Sequence, residues 1–249
     1  MGAGNMSELS DSNQSDSENV AHSEVPSLVL EREEIETIRT EFFSDAVLAI
    51  ALTLLVLDLD LGEFREAELG GLLVQELETY TAFFVSFLFI AVTWHNHHAA
   101  FNRLKSVSSA LLVANFGILL GATLLPFPTG IVATAFGVES LRDEQIAVLL
   151  YGLLAFLMSV SWTCFFHVAS KDQHLWKDSG GKEMWGRVRN VAACIAVGYL
   201  VAAVGGFFLS PWLSIAMFGG LLIIQSTQAH RMSPGHKRNT PQTAASPAS

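Results

Sequence analysis

Six apolar stretches, at residues 42–61, 77–99, 107–128, 146–169, 190–210 and 212–228, constrain this chain more than any other feature. Each is close to the ~20 residues that a helix needs to cross the hydrocarbon core of a bilayer. In hydrocarbon every backbone N–H and C=O must find a partner inside the protein, so only helices and closed barrels span. Barrel strands alternate over ~10-residue segments, whereas these runs are continuous. The second and fourth are the clearest: from Tyr80 to Trp94 and from Ile146 to Val168 there is no Asp, Glu, Lys or Arg. The sixth follows the fifth through Ser210-Pro211-Trp212, which suits only an antiparallel helical hairpin. Of the 249 residues 51% are hydrophobic and 15% charged, against about 25% charged in a soluble domain. The pattern predicts an all-α integral membrane protein with six transmembrane helices per chain.

The flanks differ from this core. Residues 1–27 are rich in Ser and carry Glu8, Asp11, Asp16, Glu18 and Glu24. Such a segment buries too little apolar surface to fold, and it lacks the basic and apolar regions of a secretory signal. It reads as a disordered acidic tail. From Leu28 a short charged helix, with Leu30, Ile35 and Ile38 among Glu31, Arg32, Glu33, Glu34 and Glu36, leads into the first span. The transmembrane domain is therefore placed at 28–228, and 229–249, with Pro234, Pro241 and Pro247, reads as a second disordered tail. Cys164 and Cys194 lie in apolar runs and read as packing residues.

Basic residues near spans mark the cytoplasmic side. With the N-terminus inside, the inner side receives Arg32, Arg39, Arg103, Lys105, Lys171, Lys177, Lys182, Arg187, Arg189, Arg231, Lys237 and Arg238, and the outer side only Arg65 and Arg142. That asymmetry supports six spans and places both termini in the cytoplasm. The outer loops instead hold Asp58, Asp60, Glu63, Glu66, Glu68, Glu76, Glu78, Glu139, Asp143 and Glu144. An acidic outer mouth concentrates cations, although loops are also charged merely for solubility. The net charge of −10 argues against a nucleic-acid binder.

The first span holds the most information. Asp45 stands a turn inside an apolar helix, which is costly unless the carboxylate is paired or hydrated. At ~100° per residue, Ile50, Leu54, Leu57 and Leu61 fall within about 60° of one another, with Thr53 at the edge of their stripe. Asp45 lies about 140° away from Ile50, so it faces a neighbouring helix rather than the stripe. Arg39 is about 240° round from Asp45, so a pair between them needs another helix or a bend. On its own, an apolar stripe is ordinarily lipid-facing or packing surface.

The run Arg39-x-x-x-Phe43-Ser44-Asp45, followed by Ala-Ile-Ala-Leu-Thr-Leu-Leu-Val-Leu-Asp from Ala49, resembles the first-helix signature of the transmembrane protein 175 family, potassium channels of lysosomes, bacteria and archaea. Trp94-x-x-His97-His98-x-x-Phe101 and Asn115 with Pro126-Phe127 are similar to further family patterns. The resemblance implies six helices per repeat and a pore lined by the first helix. Because this chain carries one motif, it implies a homotetramer like the family's bacterial branch. Carried over residue by residue, the pore constriction falls on Ile50, with further layers at Leu54 and Leu57 and a pore-edge hydroxyl at Thr53. Arg39, Phe43, Ser44 and Asp45 would belong to a structural polar network with Trp94, His98 and Asn115. The acidic tail and the Leu-rich pore stretch depart from the family pattern.

His95, His97 and His98 invite a metal reading, since His95 and His98 are i,i+3 neighbours. No matching second cluster of ligands accompanies them, so hydrogen bonding toward the first span is the better reading, and no metal is assigned. Gly117-x-x-x-Gly121 permits close helix packing, as do Gly205-Gly206 and Gly219-Gly220. Catalytic motifs are lacking: there is no Gly-x-Ser-x-Gly, phosphate loop, His-Glu-x-x-His or intramembrane acid pair. The chain thus reads as a channel rather than an enzyme. No cofactor is implied beyond permeant K+, and the partners are its own copies, lipid and monovalent cations, in the cell membrane. A proton- or metal-coupled transporter, which usually shows internal repeats and broken midplane helices, and a non-conducting scaffold are the competing readings.

Overall fold

The computed structural model describes residues 31–58, 70–71, 76–138, 140–177 and 181–232. The tail at 1–27, Leu61 and the acids at 60–68 lie outside these residues. Among the described residues, five helices are long and apolar enough to cross a membrane: Glu31–Leu57, Ser109–Gly137, Leu141–Lys171, Gly181–Phe208 and Pro211–Met232. Helix Leu77–Phe101, 25 residues long, is not among these five. Its last third carries the polar run His95-Asn96-His97-His98. In chain order we name α1 (Glu31–Leu57), α2 (Leu77–Phe101), α3 (Ser109–Leu124), α4 (Pro126–Gly137), α5 (Leu141–Lys171), α6 (Gly181–Phe208) and α7 (Pro211–Met232). The β structure among the described residues is one isolated bridge, Leu104 to Trp176.

Local chemistry explains several boundaries. The charged lead-in and the first span are one helix, which tightens into a 3-10 turn at Leu55–Asp58. Ser108 caps α3 by accepting from the Leu111 N–H at 3.3 Å. The third apolar stretch was expected to end near residue 128, but helix continues through α4 to Gly137. Pro126 stands at the first position of α4, where its missing N–H costs nothing, and Leu125 before it keeps helical dihedrals. α7 runs to Met232, past the expected boundary at residue 228. Its last turn holds His230 and Arg231, favourable at a helix C-terminus, and Met232 is buried and accepts from Arg103 Nε at 2.6 Å.

One end of the bundle is tied by these connections. The Lys105 N–H donates to the Leu175 carbonyl and the Lys177 N–H to the Arg103 carbonyl, at 2.8 and 3.1 Å. Thr37 Oγ1, near the start of α1, donates to the Lys105 carbonyl at 3.3 Å. The start of α1 and the ends of α2, α5 and α7 therefore meet at one end. At the other, Arg142 lies over the Phe207 ring at 5.5 Å and Phe136 packs edge-on against Trp212 at 5.1 Å.

The core is apolar and aromatic. Trp162 stacks on Phe166 at 5.0 Å, and Phe101, Phe165 and Trp185 surround them, all buried. Within it Ser86 is hydrogen-bonded to both Thr129 and Tyr151, at 2.7 and 3.1 Å. Both cysteines are exposed on the outside of the bundle, not packed inside it as their surroundings suggested. Glycines let helices approach where bulk is needed elsewhere. A Cβ on Gly117 would stand 2.5 Å from Ser161 Oγ, and one on Gly121 2.9 Å from Met158 Cβ, so that pair faces α5. Gly206 is equally hemmed in, by Ser214 and Val148, whereas Gly205, Gly219 and Gly220 face open space. A Cβ on Gly152 would meet Ala203 Cβ at 2.5 Å and its Cα at 3.1 Å. Because the obstacle includes backbone, Gly152→Ala should destabilise by about 1–3 kcal/mol. At roughly 2–4 °C per kcal/mol, thermal unfolding in detergent would register the change, and an unaltered midpoint would mean that α5 and α6 separate freely.

Candidate functional site

Helix α1 has two sides. Thr37, Ser44, Leu48, Ala51 and Leu55 are buried against the bundle, spaced seven, four, three and four residues apart as one helical face requires. Ile50, Leu54 and Leu57 stand away from that face and are 58%, 37% and 73% exposed. Thr53 is exposed as well, and its hydroxyl donates to the Ile50 carbonyl at 2.8 Å. The chain thus presents an aliphatic stripe that none of its described helices covers.

On the buried side a polar chain runs across three helices. Asn115 of α3 donates through Nδ2 to Ser44 Oγ of α1 at 2.9 Å, and Ser44 donates to the Thr40 carbonyl at 2.8 Å. Asn115 Oδ1 lies 2.9 Å from His97 Nε2 of α2. Since the amide oxygen only accepts, His97 must donate from Nε2, which sets its tautomer. The donors therefore point in sequence from His97 through Asn115 and Ser44 to the α1 backbone. His97 is fully buried and stacks on Phe101 at 4.3 Å.

His98, on the adjoining face, takes different partners. Its Nδ1 lies 3.2 Å from Glu41 Oε1, and Asn102 Nδ2 is 3.0 Å from its Nε2. Trp94 stacks on it at 5.8 Å. Phe43 is half-exposed and meets Phe116 edge-on at 6.2 Å. Asp45 is partly buried, with Oδ1 lacking a hydrogen-bond partner among the described residues. Arg39 is exposed beside Glu36, Thr40 and Phe43 on an open cleft. The ion pairs found among the described residues are Arg32–Glu36 and His98–Glu41, so Arg39 and Asp45 are not joined within one chain. His95 stands by His230, its ring centroid 6.2 Å away. The three neighbouring histidines thus turn to three different surroundings, and no three metal-ligating side chains gather among the described residues.

Glu41 was missed from the sequence, and His97, read there with its two neighbours as hydrogen-bonding toward the first span, was not singled out as the partner of Asn115. A signal for His97 existed: Ile90, Thr93, His97, Ala100 and Leu104 recur at three- and four-residue steps and are all buried. Glu41 had no comparable signal, because one acid among five in a charged lead-in looks like any other.

Residues 39–126 match the family model described as the endosomal/lysosomal potassium channel TMEM175. The chain is 31% identical over 194 residues to a potassium channel of Streptomyces collinus, covering 76% of this chain and 90% of that one. It is 32% identical over 191 residues to a potassium channel of Chamaesiphon minutus, covering 74% and 91%. The crystal structure of a lysosomal potassium-selective channel TMEM175 homolog from Chamaesiphon minutus matches with a TM-score of 0.67 at 29% identity, over 78% of this chain and 98% of that one. With its signature segment on α1, its all-helical membrane architecture and near full-length relatives in bacteria, this chain belongs to the TMEM175 family and is of the bacterial type.

Proposed function

We propose that the chain is a potassium-favouring cation channel that works as a homotetramer, with four copies of α1 innermost and a hydrophobic constriction at Ile50. The observation that carries this reading is the uncovered stripe of Ile50, Leu54 and Leu57 on a helix whose opposite face is fastened to the bundle. One helix cannot surround an ion path, and two leave it open to lipid. Four enclose a narrow axis, and closed cyclic symmetry is the usual solution for identical chains. An aliphatic ring gates by dewetting, so widening it admits hydrated cations. Thr53 would sit at the edge of that path, and acids such as Glu76, Asp143 and Glu144 at its outer mouth would raise the local cation concentration.

The transmembrane count in this reading is six, with α2 crossing as well. The meeting of the α1 start with the ends of α2, α5 and α7 supports it, because it makes successive crossings alternate. The positive-inside rule then puts that end, and both termini, in the cytoplasm of the cell membrane. Arg39, Phe43, Ser44 and Asp45, with Trp94, His98 and Asn115, would hold α1 in register rather than touch the ion.

Purified full-length protein in potassium-loaded liposomes tests this. Passive K+ efflux exceeding that of Na+, from particles with the mass of four chains, is the expected result. Flux that requires a counter-gradient of protons would make it a transporter, absent flux from folded protein a scaffold, and conduction by monomers or dimers would defeat the tetramer.

A further inference from the structure

Where α2, α5, α6 and α7 meet lies a small cavity lined by Asn96, Ser159, Trp162, Gln225 and Gln228 together with the apolar Phe166, Ala192 and Ile195. Room for the centre of a water molecule amounts to about 10 Å3 there, close to the ~10–15 Å3 that one water needs. Three side-chain atoms of lining residues are buried and have no hydrogen-bond partner among the described residues: Asn96 Oδ1, Trp162 Nε1 and Gln228 Oε1. Their residues are 2%, 4% and 3% exposed. Such atoms are costly to leave unpaired inside a membrane protein, where the surrounding hydrocarbon offers no substitute.

The three atoms specify their occupant. Asn96 Nδ2 donates to the Gln225 carbonyl at 3.0 Å, so the orientation of that amide is settled and its Oδ1 must accept. An indole N–H only donates. The occupant must therefore accept from Trp162 and donate to Asn96 and to Gln228. A cation is repelled by the indole N–H, and an anion by the two carbonyl oxygens. We propose that this cavity holds one ordered water molecule, which accepts from Trp162 Nε1 and donates to Asn96 Oδ1 and Gln228 Oε1. Were the Gln228 amide reversed, the same water would accept twice and donate once, so the site does not depend on that choice. Three hydrogen bonds is the usual complement of a buried water.

The site extends the polar chain of α1. Asn96 and His97 are consecutive, and one turns to the cavity while the other turns to Asn115. The same turn of α2 is thus fastened to α3 and α1 on one side, and through the water to α5 and α7 on the other. Tyr199 adds α6 by donating to Gln225 Oε1 at 3.4 Å.

The test is a structure of the full-length protein in lipid, at a resolution that shows ordered waters elsewhere in the bundle. The expected result is a peak within hydrogen-bonding distance of all three atoms, absent in Trp162→Phe and retained in Trp185→Phe. Trp185 also has an unpartnered Nε1 but does not line the cavity, so it controls for loss of an indole. Should Trp162→Phe not fold, Gln228→Leu replaces it, and the wild-type map is decisive alone. No peak in the wild type, a peak of unchanged strength in Trp162→Phe, an anomalous peak after exchange into Tl+, or a direct bond between Trp162 and either amide would each overturn the proposal.

Discussion

Ile50→Asn should raise resting cation flux by about tenfold or more, since removal of ~1.4 kcal/mol of barrier gives a factor of ten. In the proposed assembly the substitution changes four side chains in one ring at once. An aliphatic ring excludes water because its surface offers no hydrogen bonds, and a carboxamide offers both donors and acceptors. The fold should tolerate it. Ile50 is 58% exposed in the chain, and substitutions at such positions usually stay within about 0.5 kcal/mol. The measurement is K+ flux in liposomes from protein whose mass confirms four chains. Unchanged flux and unchanged selectivity in that material would remove Ile50 from the constriction.

Asn115→Leu should be the most damaging single change to the polar chain. It leaves His97 Nε2 without an acceptor in a fully buried setting, and Nδ1 of that ring already has no partner. Stranding a buried polar group costs about 1–3 kcal/mol. That exceeds the ~0.6 kcal/mol average of an interhelical hydrogen bond in a membrane protein, because the larger figure includes desolvation of the abandoned partner. Ser44→Ala should be milder, since Asn115 loses one acceptor and keeps its bond to His97. Thermal unfolding in detergent should rank the two in that order. Equal midpoints for wild type and Asn115→Leu would mean that packing alone holds α1.

The all-helical membrane architecture was legible because long apolar runs leave few alternatives. The angular reading set Ile50, Leu54 and Leu57 apart from Asp45; in the structure the first three are exposed and Asp45 is partly buried. The continuation of helix through Pro126 was not legible, because proline reads as a breaker unless it starts a helix, and its position is decided by the dihedrals of Leu125. Which histidine reaches Asn115 was also hidden. His97 and His98 are about 100° apart on α2, so the choice depends on how α2 is rotated against α1 and α3. That rotation follows from packing over the whole bundle. That His98 meets Glu41 was hidden for the same reason.

The division of α1 into a fastened face and an uncovered one has an evolutionary consequence. Positions 44, 48, 51 and 55 answer to neighbours within the same chain, so a change there alters folding before it alters anything else. In the proposed assembly, positions 50, 54 and 57 would answer chiefly to identical positions in sister chains. A lineage could therefore retune permeation through a handful of codons while its scaffold stays under separate selection, and relatives that differ in ion preference would be expected to diverge first along that outer stripe.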